Sequence, residues 1–250
     1  MTVGTIAQII LVMLLWAACF PLITVGIEFS PHLTFATLRA FLAGAVLIIV
    51  ALSLRQPLPK GRRIWTMLAI VGAGATSLGF LGMFHAAEFV SPRIATVIAN
   101  TQPLLAAGLA GIILKEQLTA PGKAGLALGF LGILVITSPQ ILTGGQENYI
   151  LGVAYIVLAA LGVTVSNVVI KRIAGNVDAL MAMGLQLLIG SIPLAIAAWA
   201  TEEPTTIRWS LPFVGALLVL SLFGSALVYW LWFSVLEKAP LNRANAFSFL

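Results

Sequence analysis

Long apolar runs follow one another along the entire chain, and only short polar gaps separate them. A helix needs about 20 mainly apolar residues to cross roughly 30 Å of hydrocarbon, whereas membrane-spanning strands show alternating segments of about ten residues. The runs therefore predict an all-α membrane protein with about nine helices. Eight complete spans and the start of a ninth are predicted at residues 5–26, 34–54, 64–86, 93–114, 122–139, 149–171, 178–200, 210–236 and from 241 onwards.

Charged residues make up only 8% of the chain, and the net charge is +5. A soluble domain carries about 25% charged residues, so this chain has too few to cover a surface that faces water. A basic balance can indicate nucleic-acid binding. Here, however, the lysines and arginines lie in the gaps between apolar runs, where they orient a membrane protein. The composition predicts a lipid bilayer as a partner and no nucleic acid.

The lysines and arginines of the gaps are unevenly divided between the two sides of the predicted membrane. If successive spans alternate in direction, ten of these residues share one side, and only Arg93 and Arg208 share the other. Cytoplasmic loops are enriched in such residues, so the N-terminus is predicted to be cytoplasmic in a multi-pass protein of the bacterial inner membrane. The ten residues are Arg55, Lys60, Arg62, Arg63, Lys115, Lys123, Lys171, Arg172, Lys238 and Arg243.

The second half of the chain repeats the first at a nearly constant offset. A shift of 147 pairs Arg39 with Gln186, and a shift of 149 pairs Phe84 with Phe233. Apolar matches are common in membrane spans, so the constancy of the offset is the stronger observation. A repeat of five spans contains an odd number of crossings, so the second copy must enter the membrane from the opposite side. This pattern is typical of secondary transporters.

The predicted fold is therefore a pair of inverted-topology repeats, each with five transmembrane helices. The first repeat is assigned to residues 1–140 and the second to residues 149–250, where it is truncated in its fourth helix. By the repeat offset, we expect the natural chain to run roughly 40 residues beyond Leu250 to complete ten helices.

Three segments carry a resemblance to a known family. Leu14–Phe20 (LLWAACF), Asn100–Ala107 (NTQPLLAA) and Leu114–Thr119 (LKEQLT) are followed by a glycine-rich fifth span. Together they resemble the EamA family of the drug/metabolite transporter superfamily, and within it the bacterial exporters of aromatic amino acids. The resemblance covers the whole chain and implies ten helices in two inverted halves around a central cavity. It also implies the export of amino acids, other metabolites or toxic cations.

Two aromatic stripes occupy paired positions in the third and eighth predicted spans. Each consists of a hydroxyl residue followed by aromatic residues one and two helical turns later, so each lines one helix face. Ordinary helix packing gives the same pattern, but its repetition in both halves favours the lining of a cavity. With an aromatic pair on the first span, the predicted substrate-binding walls are Thr76, Phe80 and Phe84, then Ser225, Tyr229 and Phe233, then Trp16 and Phe20.

Polar residues inside the spans are the candidates for orienting the polar end of a substrate. His85, Asn100 and Asn167 are the predicted polar members of the site, although bonds between helices explain many such residues. Arg39 lies roughly 8 Å inside its predicted span at 1.5 Å per residue. It can attract a substrate carboxylate, but we expect it to reach outwards to headgroups or to cap backbone carbonyls.

The sequence has no Walker-type glycine loop, HExxH motif or Cys/His cluster, so ATP-driven transport and metal catalysis have no support. We predict a secondary transporter with no cofactor and no enzymatic activity. It exports aromatic or other bulky neutral amino acids, or similar small metabolites, by alternating access. The alternatives are a nucleotide-sugar or sugar-phosphate carrier, which needs several cavity lysines or arginines, and a membrane-embedded enzyme. A monomer and a homodimer both remain open.

Overall fold

The computed structural model describes residues 1–86, 89–90, 102–113, 149–245 and 247, together with isolated positions between 120 and 138. This part of the chain is helical and contains no β-strand. Six of its helices are long and apolar enough to cross a membrane: α1 (Val3–Ile27), α2 (His32–Ser53), α3 (Arg62–His85), α5 (Tyr149–Ile173), α6 (Ala179–Thr201) and α7 (Leu211–Lys238). The shorter helices are α4 (Gln102–Ile113) and α8 (Leu241–Asn245).

The six long helices confirm the predicted all-α class, and each begins and ends within two residues of a predicted span. Helix α4 covers the second part of the span predicted at 93–114. Most of the span predicted at 122–139 lies outside the described residues.

Side-chain caps explain where several helices begin. The hydroxyl of Thr2 accepts a hydrogen bond from the backbone N–H of Thr5 at the start of α1. The carboxylate of Asp178 and the hydroxyl of Ser210 do the same for α6 and α7. Each cap satisfies a backbone donor that has no partner inside its own helix. Helix α2 follows Pro31 and has no such local cap.

Contacts between helix ends define two ends of the molecule. At the first end, the backbone N–H of Arg208, just before α7, donates to the carbonyl of Phe29, just after α1, at 2.8 Å. At the opposite end, Lys171 Nζ near the end of α5 donates to the carbonyls of Leu236 and Ala239, at 2.5 and 2.8 Å. Helices α2, α5 and α7 therefore run from the first end to the second, and α1, α3 and α6 run the other way.

Two of the spanning helices contain a π-helical segment. It covers Gly72–Leu78 in α3 and Leu222–Leu227 in α7. The two segments lie about 150 residues apart, which is close to the repeat offset, so they occupy paired positions in the two halves. Helix α3 packs through its segment against α5 and α6, and α7 packs against α1 and α2. Short π segments inside helices are frequent at functional sites.

Candidate functional site

A buried arginine lies where α1, α2, α3 and α7 meet. Arg39 on α2 is only 4% exposed. Its Nε donates to the hydroxyl of Ser225 at 2.8 Å, and its Nη2 donates to the carbonyl of Gly224 at 3.0 Å. Nη2 also lies 3.7 Å from the sulfur of Cys19, and Cζ lies 5.1 Å from the ring centre of Phe80. The guanidinium therefore joins α2 to the π segment of α7.

This geometry settles the two structural alternatives for Arg39. The expected capping of a backbone carbonyl is confirmed by the bond to Gly224. The expected reach towards headgroups is wrong, because the side chain points into the protein and is almost completely buried. Among the described residues, no carboxylate forms an ion pair with it. A charged side chain at the bilayer centre costs about 2.5–3.5 kcal/mol on insertion scales.

A second polar contact occupies the position that the repeat offset pairs with this one. Gln186 on α6 corresponds to Arg39, and Thr76 on α3 corresponds to Ser225. The hydroxyl of Thr76 donates to Gln186 Oε1 at 2.8 Å, and both residues are completely buried. In each of these two contacts, a long polar side chain forms a hydrogen bond with a hydroxyl residue of a π segment. The first contact contains a charge, and the second contains a neutral amide.

The two aromatic stripes predicted from the sequence both face the interior. Five of their six residues are buried, and Tyr229 is half-buried. Phe80 packs against Phe84, with ring centres 6.1 Å apart, and Tyr229 meets Trp16 edge to face at 6.4 Å. The side chain of Phe20 lies outside the described part of the structure. The predicted walls on α3 and α7 are therefore internal surfaces, and Arg39 contacts both of them.

The predicted amide candidates have different outcomes. Asn167 on α5 is buried, and its Oδ1 accepts a hydrogen bond from Trp232 Nε1 on α7 at 2.9 Å. Trp232 also packs against Trp16, with ring centres 5.5 Å apart. Asn167 therefore holds the aromatic wall in position through Trp232. Asn100 lies outside the described residues.

His85 belongs to a separate polar group at the first end of the molecule. Its Nδ1 lies 3.1 Å from Nε2 of His32, whose Nδ1 lies 3.3 Å from Glu202 Oε1. The imidazole of His85 also meets the ring of Tyr155 edge to face at 5.0 Å. His32 precedes Arg39 by seven residues of α2, which is about 10 Å along the helix. In the part of the chain that is described, no cluster of histidine, cysteine and acidic residues could hold a metal ion.

Sequence reasoning missed several members of these two groups. It favoured a structural role for Arg39 over the binding of a carboxylate, and it did not single out His32, Glu202 or Trp232. For Arg39 the sequence did contain a signal. A shift of 147 pairs Arg39 with Gln186, and a shift of 149 pairs Thr76, the partner of Gln186, with Ser225, the partner of Arg39. For the other three residues the sequence held no comparable pattern.

Comparisons with known proteins relate this chain to transporters. An uncharacterized transporter of Bacillus subtilis, YvbV, is 27% identical over 237 residues, which cover 95% of this chain and 76% of that protein. A probable amino-acid metabolite efflux pump of Escherichia coli is 26% identical over 250 residues, which cover 96% of this chain and 81% of the pump. One crystal structure shares the fold, with a TM-score of 0.76, 20% identity, and coverage of 98% of this chain and 83% of the other.

The family relationship covers both halves of the chain. The profile of the EamA-like transporter family matches residues 4–138 and 150–250. These ranges contain all six long helices, with the exception of the first residue of α1 and the first of α5. The protein belongs to the EamA-like transporter family.

Proposed function

We propose that this protein is a secondary transporter that exports aromatic or other bulky neutral amino acids, or similar small metabolites, by alternating access. The observation that carries the proposal is the inward orientation of both aromatic stripes, with a buried cation between them. Apolar walls with a few placed polar groups are typical of small-molecule sites. The efflux pump of Escherichia coli supports amino acids as the substrate class.

The proposal includes two inverted repeats of five helices, assigned to residues 1–140 and 149–250. Its support is the direction of the helices, since α1, α2 and α3 run opposite to α5, α6 and α7 respectively. The two π segments at paired positions also support it. Inverted-repeat transporters bind their substrates near the midplane, between the halves. The Arg39 contact and the Gln186 contact both lie between one helix of each half.

A sugar-phosphate or nucleotide-sugar carrier is disfavoured by the charge of the interior. Among the described residues, Arg39 is the only lysine or arginine that is buried. A doubly charged phosphate needs more than one cationic partner in a low-dielectric site. One buried guanidinium fits a zwitterionic or singly charged substrate.

The orientation of the chain can be tested by labelling single introduced cysteines with a membrane-impermeant maleimide. We expect a cysteine at Gly61, between α2 and α3, to be labelled only from the cytoplasmic side, because the loop at 55–63 is basic. A cysteine at Glu203, between α6 and α7, should be labelled only from the opposite side. The unmodified chain is the control, since its Cys19 is 5% exposed and should stay unlabelled. Labelling of both positions from one side would refute the inverted repeats.

The substrate class can be tested in proteoliposomes with a panel of amino acids, comparing the unmodified chain with Tyr229→Ala. Tyr229 supplies an aromatic surface next to Trp16. Losing an aromatic contact costs about 1–2 kcal/mol, so we expect the rate for phenylalanine relative to alanine to fall about tenfold.

The matched control for that experiment is Trp199→Ala. Trp199 is an aromatic residue on α6 that is 81% exposed, and its removal should leave the phenylalanine-to-alanine ratio unchanged. If Tyr229→Ala reduces both rates equally at equal expression, the aromatic wall does not contact the substrate. If the unmodified protein carries no amino acid at all, amino acids are not its substrate class.

A further inference from the structure

The charge of Arg39 has no structural explanation in its own surroundings. Its described partners are a hydroxyl, a backbone carbonyl and a thiol, and all of them are neutral. The face of the Phe80 ring adds a weak attraction for a cation but no countercharge. An ionisable side chain inside a membrane is usually paired or functional, because its desolvation must be offset. Within the described residues, that offset is missing.

The other half of the chain provides an internal control. At the position paired with Arg39, Gln186 makes the equivalent contact with a hydroxyl residue of a π segment, at the same distance of 2.8 Å. A neutral amide is therefore sufficient to join a helix of one half to a π segment of the other. Helix packing alone therefore does not require a positive charge at this position. We infer that the charge of Arg39 has a role other than joining the two helices.

The surroundings of Arg39 indicate what that is. Ser225 fixes the guanidinium from α7, and Tyr229 lies one helical turn further along the same helix, next to Trp16. Phe80 covers the guanidinium at 5.1 Å. Arginine is well suited to bind carboxylates, because its planar donors match the two carboxylate oxygens. An aromatic molecule with one carboxylate would therefore find a countercharge and an apolar wall within the same group of residues.

We propose that Arg39 is the binding residue for the carboxylate of the transported substrate. This inference rests on the proposed function, and it narrows the substrates to monocarboxylates, with amino acids that have bulky side chains as the principal class. The protein would then distinguish an amino acid from the corresponding amine or amide. The substrate carboxylate supplies the countercharge that the protein lacks, while Ser225 and Gly224 hold the guanidinium in place.

The test is competition against radiolabelled phenylalanine in proteoliposomes that contain the unmodified protein. The competitors are phenylalanine, 3-phenylpropionate, phenylalaninamide and phenethylamine, which share a ring and differ in carboxylate and amine. We expect the two carboxylates to compete at least about tenfold better than the amide and the amine, because a charge-assisted hydrogen bond contributes that much or more. Equal competition by phenylalanine and phenylalaninamide would overturn the inference, and this result does not depend on any substituted variant.

Variants then assign the preference to Arg39. Arg39→Gln installs the side chain that the paired position already has, and we expect it to abolish the discrimination between phenylalanine and phenylalaninamide. Arg39→Lys keeps the charge and should keep the direction of the preference. Arg63→Gln makes the same chemical change at an exposed position of α3 and should leave the preference unchanged. If Arg39→Gln folds, as judged by size-exclusion chromatography, and retains the preference, Arg39 has only a structural role.

The outcomes separate the two proposals. If the unmodified protein carries amino acids but treats the acid and the amide alike, the inference about Arg39 fails and the transport of amino acids stands. If no member of the series is carried or competes for binding, the proposed transport of amino acids fails, and the inference fails with it.

Discussion

Replacing Gly190 by alanine is expected to lower the free energy of unfolding by about 3 kcal/mol or more, because it forces two spanning helices apart. Gly190 lies on α6 where this helix crosses the π segment of α3. A Cβ atom added there would lie 2.4 Å from the carbonyl oxygen of Gly72 and 2.5 Å from Cβ of Thr76. Ordinary contacts between carbon atoms are about 3.5–4.0 Å, so the helices would have to separate by about 1 Å.

Separation at this crossing also breaks the polar contacts around it. The hydroxyl of Ser77 donates to the carbonyl of Gly190 at 2.8 Å, and the hydroxyl of Thr76 donates to Gln186 one turn earlier on α6. All these groups are buried. In a membrane interior, no water replaces a lost partner, so each broken bond leaves a polar group unsatisfied. The steric and polar penalties therefore act together at a single site.

Gly215→Ala is the matched control for this prediction. Gly215 lies on α7 with an exposed position, and an added Cβ would meet nothing within 4 Å. Both substitutions make the same chemical change inside a helix, and alanine favours helices over glycine. We expect Gly190→Ala to lower the midpoint of thermal unfolding in detergent by roughly 5 °C or more, and Gly215→Ala to leave it unchanged or slightly raised. Equal midpoints for the two variants would contradict the close crossing.

The bounds of the spanning helices could be predicted from the sequence because the membrane imposes a simple rule. Hydrocarbon thickness fixes the length of a span, and the cost of burying charge fixes where it ends. Six spans were therefore located within two residues. The inward orientation of the aromatic stripes was also predictable, because spacing along a helix identifies a face. Because the same stripe occurs in both halves at a fixed offset, the sequence also favoured an orientation of this face towards the protein interior.

The π segments could not be predicted, because hydropathy does not distinguish α from π hydrogen bonding. Gly72–Leu78 and Leu222–Leu227 mix glycine, apolar and hydroxyl residues, and such mixtures also occur in ordinary α-helical spans. Their backbone geometry depends on neighbouring helices that lie far away in the sequence. The local sequence therefore gives no reason to expect a π turn at either position.

The candidate site was only partly predictable for a related reason. Its polar groups are defined by pairs of residues from different helices, such as Arg39 with Ser225 and Asn167 with Trp232. Each residue taken alone fits several interpretations, and only the crossing of the helices selects one. Arg39 is the clearest example, since its burial and its neutral partners are visible only in three dimensions.

Replacing Glu202 by alanine is expected to lower the free energy of unfolding by about 2–3 kcal/mol, because Glu202 caps a helix other than its own. Glu202 follows α6, and its carboxylate accepts hydrogen bonds from the backbone N–H groups of Leu33 and Thr34, at 2.7 and 2.8 Å. It also accepts one from the hydroxyl of Thr34 at 2.7 Å. Helix α2 has no side-chain cap of its own, so the substitution leaves its first turn without these acceptors.

Glu203→Ala is the control, since it removes the same type of side chain from the adjacent position. The side chain of Glu203 is exposed, and within the described residues only its backbone carbonyl accepts hydrogen bonds, from Thr206. We expect Glu202→Gln to be intermediate, because an amide keeps one acceptor oxygen but loses the negative charge that favours a helix N-terminus. The measurement is unfolding of the purified protein in mixed micelles, followed by tryptophan fluorescence. If Glu202→Ala and Glu203→Ala unfold at the same denaturant concentration, the carboxylate of Glu202 does not stabilise the start of α2.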